Sequence, residues 1–459
     1  MSDEYSSLFA AYAHSIGPDD VSAEVAHEVG RRLLDSLGVS YAAFDEDLPT
    51  AVRAYAERFP LPNGSSIWGT DLRTSPEIAA FVNGAMTRYL DFNDTYLSKE
   101  PLHPSDMLPA LLALAEWNGS STEEFVTAAA IAYEVPVTLC DAASLRVHGW
   151  DHVNYIGIGT ALGAAKLLGL SPAETEQAVS IAAVPHASMR QTRAGELAMW
   201  KGAAAANSAR NGVFGALMAS SGVTGPYEPF VGEMGFFAQM LAGGGFEDAV
   251  LDGLREGRAP TRILDTYIKF WPVEYHAQSA VHAALELHSQ FPAGHELAGV
   301  EIDTFKASYE IIAKDPEKWR PQTRETADHS LPYITLVALM DGKVDVSSFD
   351  RSRFTDETTV AFLADRVTLR EDDALSAGYP DGIPNRVTVE LQDGTRLSSE
   401  VAHPRGHARN PMSDDEVREK FTSNSGRRLG EERAQGLASV CLDLRAQPDL
   451  ERLLSLVRE

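Results

Sequence analysis

The chain has 459 residues, of which 44% are hydrophobic and 23% charged. That length exceeds one ordinary core, and the balance of apolar and charged residues is that of a folded protein with two or three domains. The net charge of −27, from 66 acidic and 39 basic residues, opposes binding to nucleic acid or to anionic membrane surfaces.

We see no apolar run long enough to cross a bilayer. The opening stretch MSDEYSSLFAAYAHS is acidic and lacks the basic start of a secretory signal, so the expected location is cytoplasmic. Cys140 and Cys441 are too few and too far apart for a disulfide framework or a metal knuckle, and both are expected in cores. Only nine of the basic residues are lysine. An acidic, lysine-poor surface suits a protein that stays soluble at high salt, where self-repulsion is screened.

Residues 22–41 repeat Val25, Val29, Leu33 and Leu37 at helical spacing. Ser75-Pro76-Glu77 is an N-cap with proline at the first helical position. The next segment, LDFNDTYLSKEPLHPSD from Leu90 to Asp106, crowds Asp91, Asp94, Thr95, His103, Ser105 and Asp106 between two helical patterns. It reads either as a reactive loop on a rigid frame or as a solvated loop in which Ser105 or Asp106 caps the following helix. Ser121-x-x-Glu124 is a capping box, and Pro136 is expected to kink or end the helix it starts. Residues 155–169 and 200–219 are glycine- and alanine-rich helices, and Ser171-Pro172-x-Glu174 is a second capping box. His148 and His152 stand four apart, but Gly149-Trp150 between them argues against a continuous helix and a metal pair. Lys201 falls at the start of a helix, where a cation opposes the helix dipole and suits an anionic ligand.

The character changes near Arg262. An irregular entry, KFWPVEYHAQ, carries Lys269, Glu274 and His276, the last two facing one way if the segment is a strand. GVEIDTFKASYEII alternates like a strand, and residues 387–401 form a hairpin with Asp393-Gly394 as its turn. RETADHSLPY offers Arg324, Asp328 and His329, or simply an N-cap at Asp328 or Ser330. Ser413-x-x-Glu416 opens the last helices. The fold expected is mainly α: a large, discontinuous all-helical domain (1–262 with 408–459) and a smaller α+β lid domain (263–407), with a ligand cleft between them. Motifs for phosphate, nicotinamide or zinc chemistry do not occur, which leaves acid–base chemistry by His, Asp, Glu and Lys on a small polyanion.

Five motifs in order, FVNGAMTRYLDFNDT with HPSD and PALLALAE, HVNYIGIGTALGAAKLLGL, AMWKGAAAANSARNGVFGALMA, KFWPVEYHAQSA and TADHSLPY, closely resemble the MmgE/PrpD family. The resemblance implies a homodimer without metal or organic cofactor. It also implies dehydration of a small tricarboxylate such as 2-methylcitrate or citrate. It further implies a cleft site with Asp91, Thr95, His103, His152 and Lys201 as catalytic candidates. Lys269, Glu274 and His276 are candidates for substrate binding. The branch of the family that decarboxylates cis-aconitate has a histidine where this chain has Glu274, which favours the dehydratase branch. A decarboxylase or epimerase of the same family, or a silent tricarboxylate-binding dimer, are the rival readings.

Overall fold

The structure is a computed structural model that describes residues 3–292, 294 and 296–458. Its first 262 residues are mostly helix, relieved by one short antiparallel pair, Ser65–Ser66 with Arg73–Thr74. The capping boxes at Ser121/Glu124, Ser171/Glu174 and Ser413/Glu416 all form, each serine taking the backbone N–H of its glutamate. Two orphan donors are satisfied at each helix start, which fixes where the helices Thr122–Ala142, Pro172–Ala183 and Asp414–Leu429 begin.

Pro136 does not end its helix. The helix runs on to Ala142, and the ring is received by Gly159 of the neighbouring helix Val153–Leu167. A Cβ at Gly159 would stand 2.3 Å from Pro136 Cγ. The helices Val153–Leu167 and Trp200–Ser220 approach closely for the same reason: a Cβ at Gly212 would lie 2.8 Å from the Gly157 carbonyl. Small residues here set the distance between helix axes, as the Gly/Ala content suggested.

Thr122–Ala142 is, among the described residues, the one helix long and apolar enough to cross a membrane, against the expectation of no such run. Its apolar stretch is buried inside the helical bundle, and that burial accounts for the composition.

One apolar core gathers side chains from Phe9 to Ile268 and from Met412 to Val457. A second gathers Trp271 to Val389. The second is built on a four-stranded sheet in the order Val367–Glu371, Leu297–Thr304, Asn385–Leu391, Arg396–Val401. Leu297–Thr304 is parallel to the first of these and antiparallel to the third. The helices Gln278–His288 and Leu331–Asp341 cover one face, and Val387 and Val389 point into that core. The expected hairpin forms with Gly394 in the left-handed region.

One local reading is corrected. KASYEII is not strand: the strand stops at Thr304, and Lys306–Ile312 is a helix. Residues 431–457 are helical as two helices, Glu431–Leu442 and Glu451–Val457, with the 3-10 turn Leu444–Ala446 between them.

Candidate active site

Asp91 lies just past the helix Pro76–Tyr89, with φ at +51°, a region that non-glycine residues occupy at a cost of about 1–3 kcal/mol. Its carboxylate explains the conformation. Arg88, one helical turn back, pairs with Oδ1. Lys269 Nζ sits 3.0 Å from the same oxygen and also donates to the Asp91 carbonyl at 2.8 Å. Lys201 Nζ stands 3.6 Å and His329 Nε2 3.2 Å from Oδ2. Burial alone would raise the pKa of this carboxyl. The Arg88, Lys201 and Lys269 cations outweigh burial and hold it well below the usual carboxylate range.

The rest of the Leu90–Asp106 segment is buried, and Ser105 and Asp106 do not cap a helix. They lie inside a single 3-10 turn, Pro104–Met107, where both accept from the Asn93 amide. The cap comes from Asp94, which accepts the Ser105 N–H at 2.8 Å and the Tyr133 hydroxyl at 2.8 Å. Thr95 is pinned by two backbone bonds to Tyr267 and donates its hydroxyl to the Leu102 carbonyl.

His103 Nδ1 lies 2.7 Å from the Asp94 carbonyl. A carbonyl only accepts, so Nδ1 carries the hydrogen and Nε2 keeps its lone pair. Nε2 is 3.9 Å from Asp91 Oδ1. Burial, aided by the Arg88 and Lys269 cations, pushes this imidazole well below its usual range, so it is neutral near pH 7. His152 begins the helix Val153–Leu167, its ring centroid 5.7 Å from that of His103. Its Nδ1 is 3.2 Å from Asp151, a carboxylate already engaged by Arg193 at 3.0 Å through both oxygens. Burial and the Arg193 charge take His152 down to about 3.

Lys201 is buried in the first turn of Trp200–Ser220, and burial lowers it to about 8. Glu274 and His276 are not on a strand. Glu274 caps the 3-10 turn Tyr275–Ala277, accepting the His276 N–H at 2.7 Å and the His276 Nδ1–H at 2.7 Å. The consecutive turn geometry, rather than a pleat, brings the two together. Glu274 supports His276, whose charge and hydrogen bond bring the carboxyl to about 2 against burial.

These residues surround one pocket at the junction of the two apolar cores. Asp91, Thr95, His103, His152, Lys201, Glu274 and His276 line it. Lys269 does not: it stands behind Asp91, both of its contacts spent there. The wall carries cations that sequence reasoning passed over, Arg88, Arg146, Arg190, Arg193 and Lys318, and also His329. The RQTR run at 190–193 and the scarcity of lysine were the available signals. His329 was offered by RETADHSLPY without a place in the site, and the alternative N-cap there is Ser330. The buried ends on this wall that have no hydrogen-bond partner among the described residues include Arg193 Nη2, Lys201 Nζ, His152 Nε2, His276 Nε2 and Asp91 Oδ2. Such groups are costly unless a ligand completes them.

A helical body joined to a smaller α+β unit over a pocket of histidines and unspent cations defines an acid–base site for a small polyanion. The chain belongs to the MmgE/PrpD family: residues 7–249 match its N-terminal domain and residues 271–444 its C-terminal domain. It is 31% identical to 2-methylcitrate dehydratase of Escherichia coli K12, over 92% of this chain and 91% of that protein. Identity to the 2-methylcitrate dehydratase of Cupriavidus necator is 32%, covering 95% and 93%. The cis-aconitate decarboxylase-like protein oryM of Aspergillus oryzae is 29% identical over 96% and 94%.

Proposed function

We propose that this protein is a hydro-lyase that removes water from 2-methylcitrate, or a closely related tricarboxylate such as citrate, to give the cis-aconitate-type alkene. The observation that carries the reading is the pairing, in one pocket, of a neutral histidine with a free Nε2 lone pair and several cationic side chains with a nitrogen that has no hydrogen-bond partner among the described residues. The dehydratase relatives support the substrate class.

A C–H bond beside a carboxylate is a weak acid. Its cleavage needs a base and fixed positive charge where the substrate's carboxylate oxygens gain electron density. His103 is the base in this proposal, held in the right tautomer by the Asp94 carbonyl. Lys201 and the arginines at 146, 190 and 193 hold the substrate carboxylates. Thr95 and His152 shape the reacting end, and His276, steadied by Glu274, meets the substrate from the α+β side. Asp91 is a poor base, because three cations stabilise its charged form; its work is to orient Lys201 and, with Lys269 behind it, to balance the charge of the empty site.

The proposal extends to organisation. The helical domain is 1–262 with 408–459 and the lid 263–407, as the separate apolar cores suggest. The unit is a homodimer, supported by exposed apolar side chains such as Met189, Met199 and Trp200 beside the pocket's helix. A cytoplasmic setting accords with two buried free thiols.

The test is incubation with 2-methylcitrate, citrate and cis-aconitate, with products identified by mass. Loss of one water from a citrate is expected. Carbon dioxide release from cis-aconitate would replace this reading by the decarboxylase, and tight binding without product would replace it by a binding protein. His103→Ala should lower kcat by about 10²–10⁴-fold, and unchanged turnover would remove its role as base.

A further inference from the structure

Four histidines stand on the pocket wall, and each is anchored or flanked at Nδ1, with Nε2 at the opposite side of the ring. Their anchors differ, and the difference sorts them chemically. His103 donates to a neutral carbonyl, which favours the neutral ring. His152 leans on a carboxylate that Arg193 has already neutralised. His276 is bound to Glu274 and lies with its ring tilted against Phe305 and Tyr379.

His329 is placed differently. Its Nδ1 is 2.5 Å from Asp328 Oδ1, and its Nε2 is 3.2 Å from Asp91 Oδ2. Asp328 holds Nδ1, while the approach of Nε2 to Asp91 Oδ2 closes no hydrogen bond, so a proton on Nε2 stays available to a ligand. Asp328 is fully buried and its second oxygen has no hydrogen-bond partner among the described residues. His329 and His103 flank the two oxygens of the same Asp91 carboxylate. That spacing suits groups that must serve adjacent carbons of one small substrate.

We propose that His329, backed by Asp328, is the general acid that protonates the departing hydroxyl, with His103 as its opposed base. This assignment rests on the dehydration reading. In the step, the C–H electron pair forms the new double bond as the proton passes to His103 Nε2. The C–O bond breaks with its pair on oxygen, which takes the His329 Nε2 proton and leaves as water. His103 then returns its proton to solvent and His329 recovers one, so the enzyme is unchanged. Burial and the Lys201 charge push His329 down, burial lifts Asp328 to about 6, and the charges of Asp91 and Glu274 act to restore the ring's proton. The charged groups that face His329 are Lys201, Lys318, Asp91, Glu274 and Asp328.

The experiment compares the hydroxy substrate with an analogue carrying fluorine in place of that hydroxyl, since fluoride departs without being protonated. His329→Asn should lose about 10²–10⁴-fold in kcat on the hydroxy substrate but only about tenfold or less on the fluoro analogue. His103→Ala should lose both. Equal losses on the two substrates, or none, for His329→Asn would overturn the assignment. Asp328→Asn gives an independent readout. An acid must be protonated, so activity falls as pH rises through its pKa, and removing the carboxylate should move that alkaline limb down by about 1–3 units. An unmoved limb would also overturn it. A parent enzyme that yields no alkene from any tricarboxylate would bring down the dehydration reading, and this assignment with it. Full parent turnover with an indifferent His329→Asn would remove the assignment alone.

Discussion

Asp91 keeps a left-handed backbone and a buried negative charge in one place, and each makes sense only through the other. The turn at φ +51° points the carboxylate into the space between Arg88, Lys201, Lys269 and His329, and those groups in turn hold the turn. The same crowding of charge decides the histidines. His152 titrates near 3 in the folded protein against about 6.5 when unfolded. The unfolded chain therefore binds more protons between those values, and stability is lost as pH falls below about 6.5. Buried carboxylates work in the opposite sense: Glu100 and Glu134, raised by burial to about 7, favour the folded state as pH falls toward 4. A difference measurement separates them. On acidification from pH 7 to pH 4, the parent should lose up to about 3 kcal/mol more than His152→Gln, by denaturant unfolding at each pH. Parallel losses would show that His152 is protonated in the fold.

At the scale of elements, the helix Asp414–Leu429 fastens the site from behind. Lys420 reaches from it to the carbonyls of Phe92 at 2.9 Å and Lys269 at 2.7 Å, with Asp35 of the helix Ala23–Ala42 as its counter-ion at 2.5 Å. Its ammonium also lies 3.8 Å from the Phe92 ring centroid. Burial lowers this lysine, and Asp35 acts to restore it. One side chain thus joins the two segments that carry Asp91 and Lys269. Lys420→Met leaves Asp35 buried without its partner, and should cost about 3–5 kcal/mol in unfolding free energy. It should also depress kcat more than it raises KM, because the pair it aligns does not grip substrate alone. Adding Asp35→Asn should restore part of the stability. A Lys420→Met variant as stable and active as the parent would show that the helix only covers this site.

Over the whole molecule the net charge of −27 sits mainly on the surface, where self-repulsion acts against the compact state. Raising potassium chloride from tens of millimolar to molar should raise Tm, since screening weakens that repulsion. A Tm that stays flat or falls would count against a salt-adapted protein. The order of helices, the capping boxes and the hairpin were legible along the chain, because caps and turns depend on residues three or four apart. So were the stretches that hold Asp91, His103, His152 and Lys201. What each of these residues does there was not. Ser105 looked like a cap, yet Asp94 supplies it from eleven residues away. Lys269 looked like a clamp for substrate and is spent behind Asp91, while Arg190, Arg193 and His329 reach the wall. Side-chain charge and its partners are set by distances between segments far apart in sequence, such as Asp91 and His329, 238 residues apart. Local propensity carries no record of such distances. The sequence by itself determined the helices, the family resemblance and the chemical inventory; the tertiary packing decided which cations are neutralised, which histidines keep a lone pair and which residue meets the ligand.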